Sequence, residues 1–370
     1  MNIVITTDQV SIHGGIEKVT ITKVNYWAKD PNMRIYILTS DQTNKPSQYP
    51  LDSRVEIIDL GINYDRSKSN FSWKNIKKGF SHFKKQKKIL KKIKPDFIIH
   101  PNLNLDYLWL PYIKQNAKLI KEIHSSGHFK EQKRKTGSIG EKLKLRLDDW
   151  IISKYDQIVV LNEDEKKYLN LENVVVIPNP VSKNNQKANL SKKQVIAAGR
   201  IAPIKGFNHL IKAWAAVHTD FPEWNLHIYG QEFLNTQSKL QKQIEDLDLQ
   251  KSIIFMGNVD NLPEAMTNYS IYAMTSVTEC FPMVLLEALS IGLPIVSYDC
   301  PNGPRNIIKN KIDGYLVPNQ NNDEFANQLK TLMKDEKLRS EMGKNGIENV
   351  KRFELEKVMK LWKNKIFDKE

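Results

Sequence analysis

Residues 270–298 read SIYAMTSVTECFPMVLLEALSIGLPIVSY. Two short apolar runs, Ser270–Thr275 and Pro294–Tyr298, flank a segment from about Met283 to Ser290 that suits a helix. The runs carry Ile, Val and Tyr and are bounded by turn residues, which marks them as strands. A strand, a helix and a second strand at this spacing form a parallel βαβ unit, and the chain therefore belongs to the α/β class.

The same alternation extends outward on both sides. Gln194–Ala198, Trp224–Tyr229, Ser252–Met256 and Tyr315–Val317 read as further strands, with helices over Gly206–Val217, Gln237–Leu247, Asp323–Asp335 and Lys337–Arg352. Towards the N-terminus the strands are Asn2–Thr6, Arg34–Ser40, Arg54–Leu60, Asp96–His100, Lys118–His124, Gln157–Leu161 and Val174–Pro178, and Glu17–Ala28 has a helical pattern. The alternation breaks at Ile177-Pro178-Asn179-Pro180-Val181, and a polar stretch runs on to Lys193. Prolines followed by low hydrophobicity mark a linker. The expected division is an N-terminal Rossmann-like domain over 1–180, a second over 181–350, and a C-terminal amphipathic helix within 351–370. Such sheets bind ligands at the carboxyl ends of their strands.

At 370 residues the chain exceeds what one core usually organises, which agrees with two domains. Hydrophobic residues make up 40% and charged residues 26%, as in soluble globular proteins. No apolar run approaches the roughly 20 residues of a spanning helix. Met1–Asp8 reads as a buried strand and not as a signal peptide, so a cytoplasmic location is expected. Cys280 and Cys300 are the only cysteines, too few for a disulfide framework or a cysteine-built zinc site.

Two constellations carry chemistry. Gly199-Arg200-Ile201-Ala202-Pro203-Ile204-Lys205-Gly206 follows a strand and places two cations on a glycine-bounded loop. A planar guanidinium fork and a lysine point charge suit a diphosphate, although the stretch alone also fits a solvated turn. Thr278-Glu279-Cys280-Phe281-Pro282-Met283-Val284-Leu285-Leu286-Glu287-Ala288 sets Pro282 where a helix begins. The amides of Met283 and Val284 then point out of the helix start towards an anionic group. Glu279 and Glu287 bracket it, and a carboxylate accepts well from sugar or ribose hydroxyls. Taken alone, two acids near a helix start also fit simple dipole complementarity.

The pattern Arg-x4-Lys-Gly followed by Glu-x7-Glu, with Phe-Pro-Met-Val inside it, resembles the large retaining glycosyltransferase family 4 of the GT-B fold. The resemblance covers nearly the whole chain. Ile12-His13-Gly14-Gly15-Ile16-Glu17 is similar to the family's glycine-rich loop after strand one, Ile177–Pro180 to its hinge, and Asp299-Cys300-Pro301-Asn302-Gly303-Pro304-Arg305 to a loop of capsule, O-antigen and glycan-assembly members. The resemblance implies two Rossmann-like domains facing each other across a cleft, with the C-terminal helix crossing back to the first. It implies that Arg200 and Lys205 neutralise the donor diphosphate, Glu287 holds the ribose, and Glu279 with the amides of Phe281, Pro282, Met283 and Val284 frames the transferred sugar. Pro282 contributes position only, since it has no amide hydrogen. Gly257 and Asn258 would lie near the base, Gly14 near the acceptor and Gly15 near the donor phosphates. His124 matches the family's active-site histidine, with His128 as the competing candidate because Ser125-Ser126-Gly127-His128 departs from the commoner sequence. Retention of configuration follows from the resemblance alone. The Asp299–Arg305 loop and Pro282 favour a UDP-hexose or UDP-N-acetylhexosamine, with GDP-mannose or a soluble acceptor as the alternative.

No cofactor is expected beyond the nucleotide sugar. Asp246-Leu247-Asp248 has the form of a metal-binding Asp-x-Asp but lies near the end of a charged helical stretch, and the cationic pair supplies what a metal would supply.

The formal charge is +14. No acid occurs from Ser67 to Pro95, and ten lysines lie between Lys74 and Lys94. Ile76, Phe80, Phe83, Leu90 and Ile93 recur there at helical spacing, which predicts a basic amphipathic helix suited to an anionic membrane surface or, equally, one packed on its own domain. A second basic cluster, Lys130 to Arg146, has acids mixed in. A polyprenyl-diphosphate-linked acceptor at the inner face of the cell membrane would explain a basic first half. Nucleic acid is disfavoured: Phe71 and Trp73 adjoin the lysines, but Phe80 and Phe83 fall on the expected apolar face and no nucleic-acid motif appears. A dehydrogenase is disfavoured because no Gly-x-Gly-x-x-Gly follows a strand. The Glu-x7-Glu argues against an epimerase, and no phosphorylase-type cofactor lysine is evident.

Overall fold

In the computed structural model, which describes residues 1–69, 72–102 and 104–368, the chain forms two units. One is Met1–Pro180 together with Met359–Glu370, the other Val181–Val358. Phe71 lies outside the described residues.

The first unit runs β1 (Asn2–Thr7), α1 (Gly15–Trp27), β2 (Arg34–Thr39), β3 (Val55–Asp59), α2 (Trp73–Ile93), β4 (Phe97–His100), α3 (Leu110–Ile113), β5 (Lys118–Ile123), α4 (His128–Thr136), α5 (Ile139–Ile152), β6 (Gln157–Val160), α6 (Glu163–Lys166) and β7 (Val174–Val176). The strands form one parallel sheet in the order β3-β2-β1-β4-β5-β6-β7. Its inner strands carry continuous apolar runs (Ile3-Val4-Ile5, Ile98-Ile99, Leu119-Ile120, Ile158-Val159-Val160) because helices cover both faces. The tail returns to this unit. Trp362 and Phe367 meet Trp27 edge-on at 5.6 and 5.4 Å, and Phe367 meets Phe97 at 4.9 Å. The tail helix is α-helical only over Leu355–Trp362 and widens into a π turn over Lys363–Phe367, where the sequence predicts one continuous helix.

One feature of this unit differs from the sequence reading. The buried stripe of α2 is Asn75, Gly79, His82, Gln86 and Leu90, whereas Phe80 is 67% exposed and Ile76 only half-buried. Polar side chains take the inner face because each finds a partner there. Asn75 caps Asp65 and Ser69 carbonyls at 3.0 Å, His82 meets the Tyr64 hydroxyl at 3.1 Å, and Gln86 lies between Asp106 (3.0 Å) and the Trp109 indole (2.7 Å). Hydrogen-bonded polar groups bury at little cost, so an apolar-only pattern picks the wrong register. The second basic cluster, Lys130–Arg146, lies on α4 and α5. The latter begins in a capping box in which Ser138 and Glu141 satisfy each other's backbone amides.

The second unit runs β8 (Gln194–Ala198), α7 (Phe207–Asp220), β9 (Asn225–Tyr229), α8 (Thr236–Asp246), β10 (Ile253–Gly257), α9 (Leu262–Met266), β11 (Ile271–Met274), α10 (Met283–Ser290), β12 (Ile295–Tyr298), β13 (Gly314–Val317), α11 (Asn322–Lys334) and α12 (Glu336–Val350). A further helix, α13 (Leu355–Trp362), leads across to the tail. The sheet is parallel, in the order β10-β9-β8-β11-β12-β13. Trp214, Leu210, Ile228, Val296, Phe325 and Leu329 centre its core. Strand order reverses between β8 and β11, the position where open α/β sheets place ligands. In the first sheet the reversal lies between β1 and β4. No helix among the described residues is long and apolar enough to cross a membrane.

Candidate active site

At the reversal in the second sheet, the loop after β8 packs on the loop after β11. The Thr275 hydroxyl donates to Gly206 O at 3.0 Å, and the Val277 amide donates to Ile204 O at 2.9 Å. This contact needs glycine. Gly206 has φ +62°, and a Cβ there would stand 2.1 Å from Thr275 O. Gly206→Ala is expected to destabilise the second unit by roughly 3 kcal/mol, combining positive-φ strain with a backbone clash. Thermal denaturation checks this, and an unchanged melting temperature would contradict it.

The packed loops bring Lys205 to Glu279. The ammonium donates to the carboxylate at 2.6 Å, with both side chains largely shielded from solvent. Glu279 is held from behind by the Asp299–Arg305 loop. Its amide donates to Pro301 O at 2.8 Å, and its carbonyl accepts from the amides of Asn302 and Gly303 at 2.7 and 3.0 Å. Arg305 closes that loop on Asp299 with two bonds of 2.8 Å. Resemblance alone singles out this loop in the sequence; its contact with Glu279 gives it a physical task.

Arg200 is exposed at the end of β8, and its guanidinium lies over the Phe233 ring at 4.7 Å. Such stacking holds a flexible cation in place. Beside it, β8, β9 and β10 run out into Gly199, Gly230 and Gly257. A Cβ on Gly230 would stand 1.9 Å from Gly199 O, so these strand ends approach as only glycine allows. Gly257 and Asn258 are exposed there.

Helix α10 begins just beyond Glu279. Pro282 is its N-cap and supplies no side-chain bond, so the Met283 and Val284 amides have no acceptor within the helix. Phe281 is buried with its ring edge-on to Phe353 at 5.4 Å, so its side chain packs in the second unit. Glu287 is buried in the second turn. Tyr272, which sequence reading misses, connects these parts. Its hydroxyl donates to Ala198 O at 3.0 Å, and its acidity is suppressed by burial and by the charges of Glu279 and Glu287. The only signal for it is a polar atom in a buried strand. Burial, and then the charge of Glu279, push up the Cys300 thiol, which disfavours the thiolate form.

In the first unit, Gly14 caps α1 without a side chain and Gly15 opens the helix, after β1. His124 follows β5; its Nε2 lies 2.7 Å from Glu122 Oε2. Glu122 also pairs with Lys23, and both are buried. Burial opposes the carboxylate charge, but Lys23 and His124 outweigh it and hold Glu122 down to about 2. His128 instead starts α4, with its ring against Phe129. The structure thus gives His124 a fixed orientation and gives His128 none of comparable kind. Asp246 ends α8, and Asp248 follows with φ +56°.

A strand-order reversal carrying a shielded Lys–Glu pair, a stacked arginine and an uncapped helix start has the chemistry to suit a phosphorylated, hydroxyl-rich ligand. Two family models match in succession: Glycosyltransferase Family 4 over residues 13–184 and Glycosyl transferases group 1 over residues 179–349. The chain is a glycosyltransferase of the family 4 type. It is 28% identical to an uncharacterized glycosyltransferase of Haemophilus influenzae over 95% of both chains. It is 31% identical to the amylovoran biosynthesis glycosyltransferase AmsD of Erwinia amylovora, over 56% of this chain and 61% of AmsD. Among solved structures it is similar to Staphylococcus aureus TarM, crystallised with UDP and α-GlcNAc-glycerol, with a TM-score of 0.79 at 17% identity and complete coverage of both chains. The transferase therefore has the GT-B fold, and it is an enzyme that transfers glycosyl groups.

Proposed function

We propose that the transferase moves a hexose or N-acetylhexosamine from a UDP-linked donor to a hydroxyl of a growing lipid-linked glycan, with retention of configuration, in surface polysaccharide assembly. The observation that carries the donor reading is the Lys205–Glu279 pair beside the open start of α10. A lysine ammonium has three donors, so Lys205 can keep Glu279 and still bond a phosphate oxygen. In this reading Arg200 and Lys205 stabilise the charge that develops on the departing diphosphate. Glu279 and the amides after Phe281 hold the sugar, Glu287 accepts from the ribose hydroxyls, and Gly257 and Asn258 lie beside the base. His124 and Gly14 serve the acceptor, and Gly15 gives the donor phosphates room. Two cations at the diphosphate make a metal unnecessary. The relatives support polysaccharide assembly through AmsD and a UDP donor through TarM. The basic α2 supports work at the inner face of an anionic membrane, where a polyprenyl-diphosphate-linked acceptor resides.

Glu287→Ala tests the donor site. A carboxylate holding ribose hydroxyls contributes charge-assisted bonds, so donor KM is expected to rise about 10- to 100-fold with UDP-sugars. Unchanged donor binding and turnover would remove Glu287 from the site.

A further inference from the structure

Helix α5 is apolar on two sides. Leu145, Ile151 and Ile152 face inward, Ile151 joining the cluster that α2 and α3 form on the same face of the sheet. Ile139, Leu143, Leu147 and Trp150 recur at spacings of four, four and three residues, which makes one stripe, and all four are exposed. Ile139 is 81% exposed. The fold gains nothing from this stripe. It is bordered by Lys142, Lys144, Arg146 and Lys154, all exposed. Lys154 lies over the Trp150 ring at 5.1 Å.

The acids nearby are occupied. Glu141 pairs with Lys133 at 3.0 Å, Asp149 takes two bonds from Arg134, and Asp148 accepts from the Tyr107 hydroxyl at 2.7 Å. The stripe is also not isolated. On the same sheet face, α2 exposes Trp73 and Phe80 among Lys77, Lys84, Lys87 and Lys91, and α3 exposes Tyr112. This outer layer therefore combines apolar anchors, interfacial aromatics and cations.

We propose that the outer layer of α2, α3 and α5 docks on an anionic lipid bilayer, with Leu143, Leu147 and Trp150 entering the acyl boundary and the surrounding lysines and Arg146 at headgroup level. This gives a location and an anchor to the membrane part of the function proposed above, on which it rests. Aromatic residues with a polar tip favour that interface, and basic flanks favour anionic lipid. A second copy of this chain is the poorer occupant, because pairing would oppose two sets of exposed lysines.

The test is co-sedimentation of the full chain with phosphatidylcholine vesicles, with and without phosphatidylglycerol. Wild type is expected to bind the phosphatidylglycerol vesicles and to release as salt rises. Leu143→Ser/Leu147→Ser/Trp150→Ser is expected to bind about 100-fold more weakly while donor turnover with a soluble acceptor stays at the wild-type level. Each lysine of α2 reversed to glutamate should weaken binding about fivefold or more at low salt. Equal sedimentation of wild type and triple variant would overturn the proposal, as would a wild-type dimer that the triple variant dissolves. If transfer occurs but vesicles bind nothing, the docking surface is wrong and the transferase reading stands. If vesicles bind as expected and no UDP-sugar is used, the docking surface stands and the donor assignment fails.

Discussion

Replacing Lys205 by alanine is expected to lower kcat/KM about 1000-fold, with most of the loss in kcat. One removed donor to a developing oxyanion costs about 100- to 1000-fold. Lys205 sits at the upper end because it serves two partners. It would meet the diphosphate, and it holds Glu279 at 2.6 Å. Without it, Glu279 keeps its backbone anchors to Pro301, Asn302 and Gly303 but loses the contact that aims its carboxylate. The two residues should therefore act as a unit. Glu279→Gln alone should also be severe, and Lys205→Ala/Glu279→Gln should be little worse than the worse single variant, a coupling that a double-mutant cycle reads directly. Additive losses would mean that the two side chains act independently and that their contact does not aim the carboxylate. Lys205→Arg should restore part of the rate, since charge returns but the compact ammonium does not.

The largest effect on stability is expected at Glu122. Glu122→Ala leaves Lys23 buried with no carboxylate beside it, and breaking a buried pair from one side costs about 3–5 kcal/mol. For a unit of this size that lowers its melting temperature by roughly 10 °C, readable by calorimetry. Lys23→Met/Glu122→Leu should recover much of the loss, because removing both charges leaves nothing unpaired. The pH dependence has a definite sign. The folded carboxylate is depressed to about 2 from an ordinary 4.5, so its contribution is full above 4.5 and is lost as pH falls towards 2. Glu122→Gln should lack that part of the acid sensitivity. Because Glu122 also holds His124 at 2.7 Å, the glutamine variant should change the pH profile of transfer as well; stability loss alone would confine Glu122 to the scaffold.

Much of this is legible in the amino-acid sequence. The βαβ unit around α10 is readable because its apolar runs are short, continuous and buried on both faces, and the predicted helix Met283–Ser290 has those bounds in the structure. Arg200, Lys205, Glu279 and Glu287 are readable as types at strand ends. The contacts among them are not, because they depend on how Gly206 lets one loop rest on another. Sequence reading passes over Glu122 and Lys23, although a charged pair in a buried strand, Lys121-Glu122, is a visible anomaly. The outer stripe of α5 is hidden because acids interleave it in sequence, and only the fold shows that those acids are engaged by Lys133, Arg134 and Tyr107. On α2, polar residues with good partners take the place that periodicity gives to apolar ones.

The central claim is that the second unit holds a uridine diphosphate-linked sugar through this site. The most direct test is the shift in melting temperature with UDP, GDP and ADP, for wild type and for Glu287→Ala. A ligand that binds only the native state raises it, by about 2.7 kcal/mol of added stability at one hundred times its dissociation constant. The expected result is a clear rise with UDP, little with GDP or ADP, and loss of the UDP effect in Glu287→Ala. No shift with any nucleotide, or a UDP shift undiminished in the variant, would contradict the account.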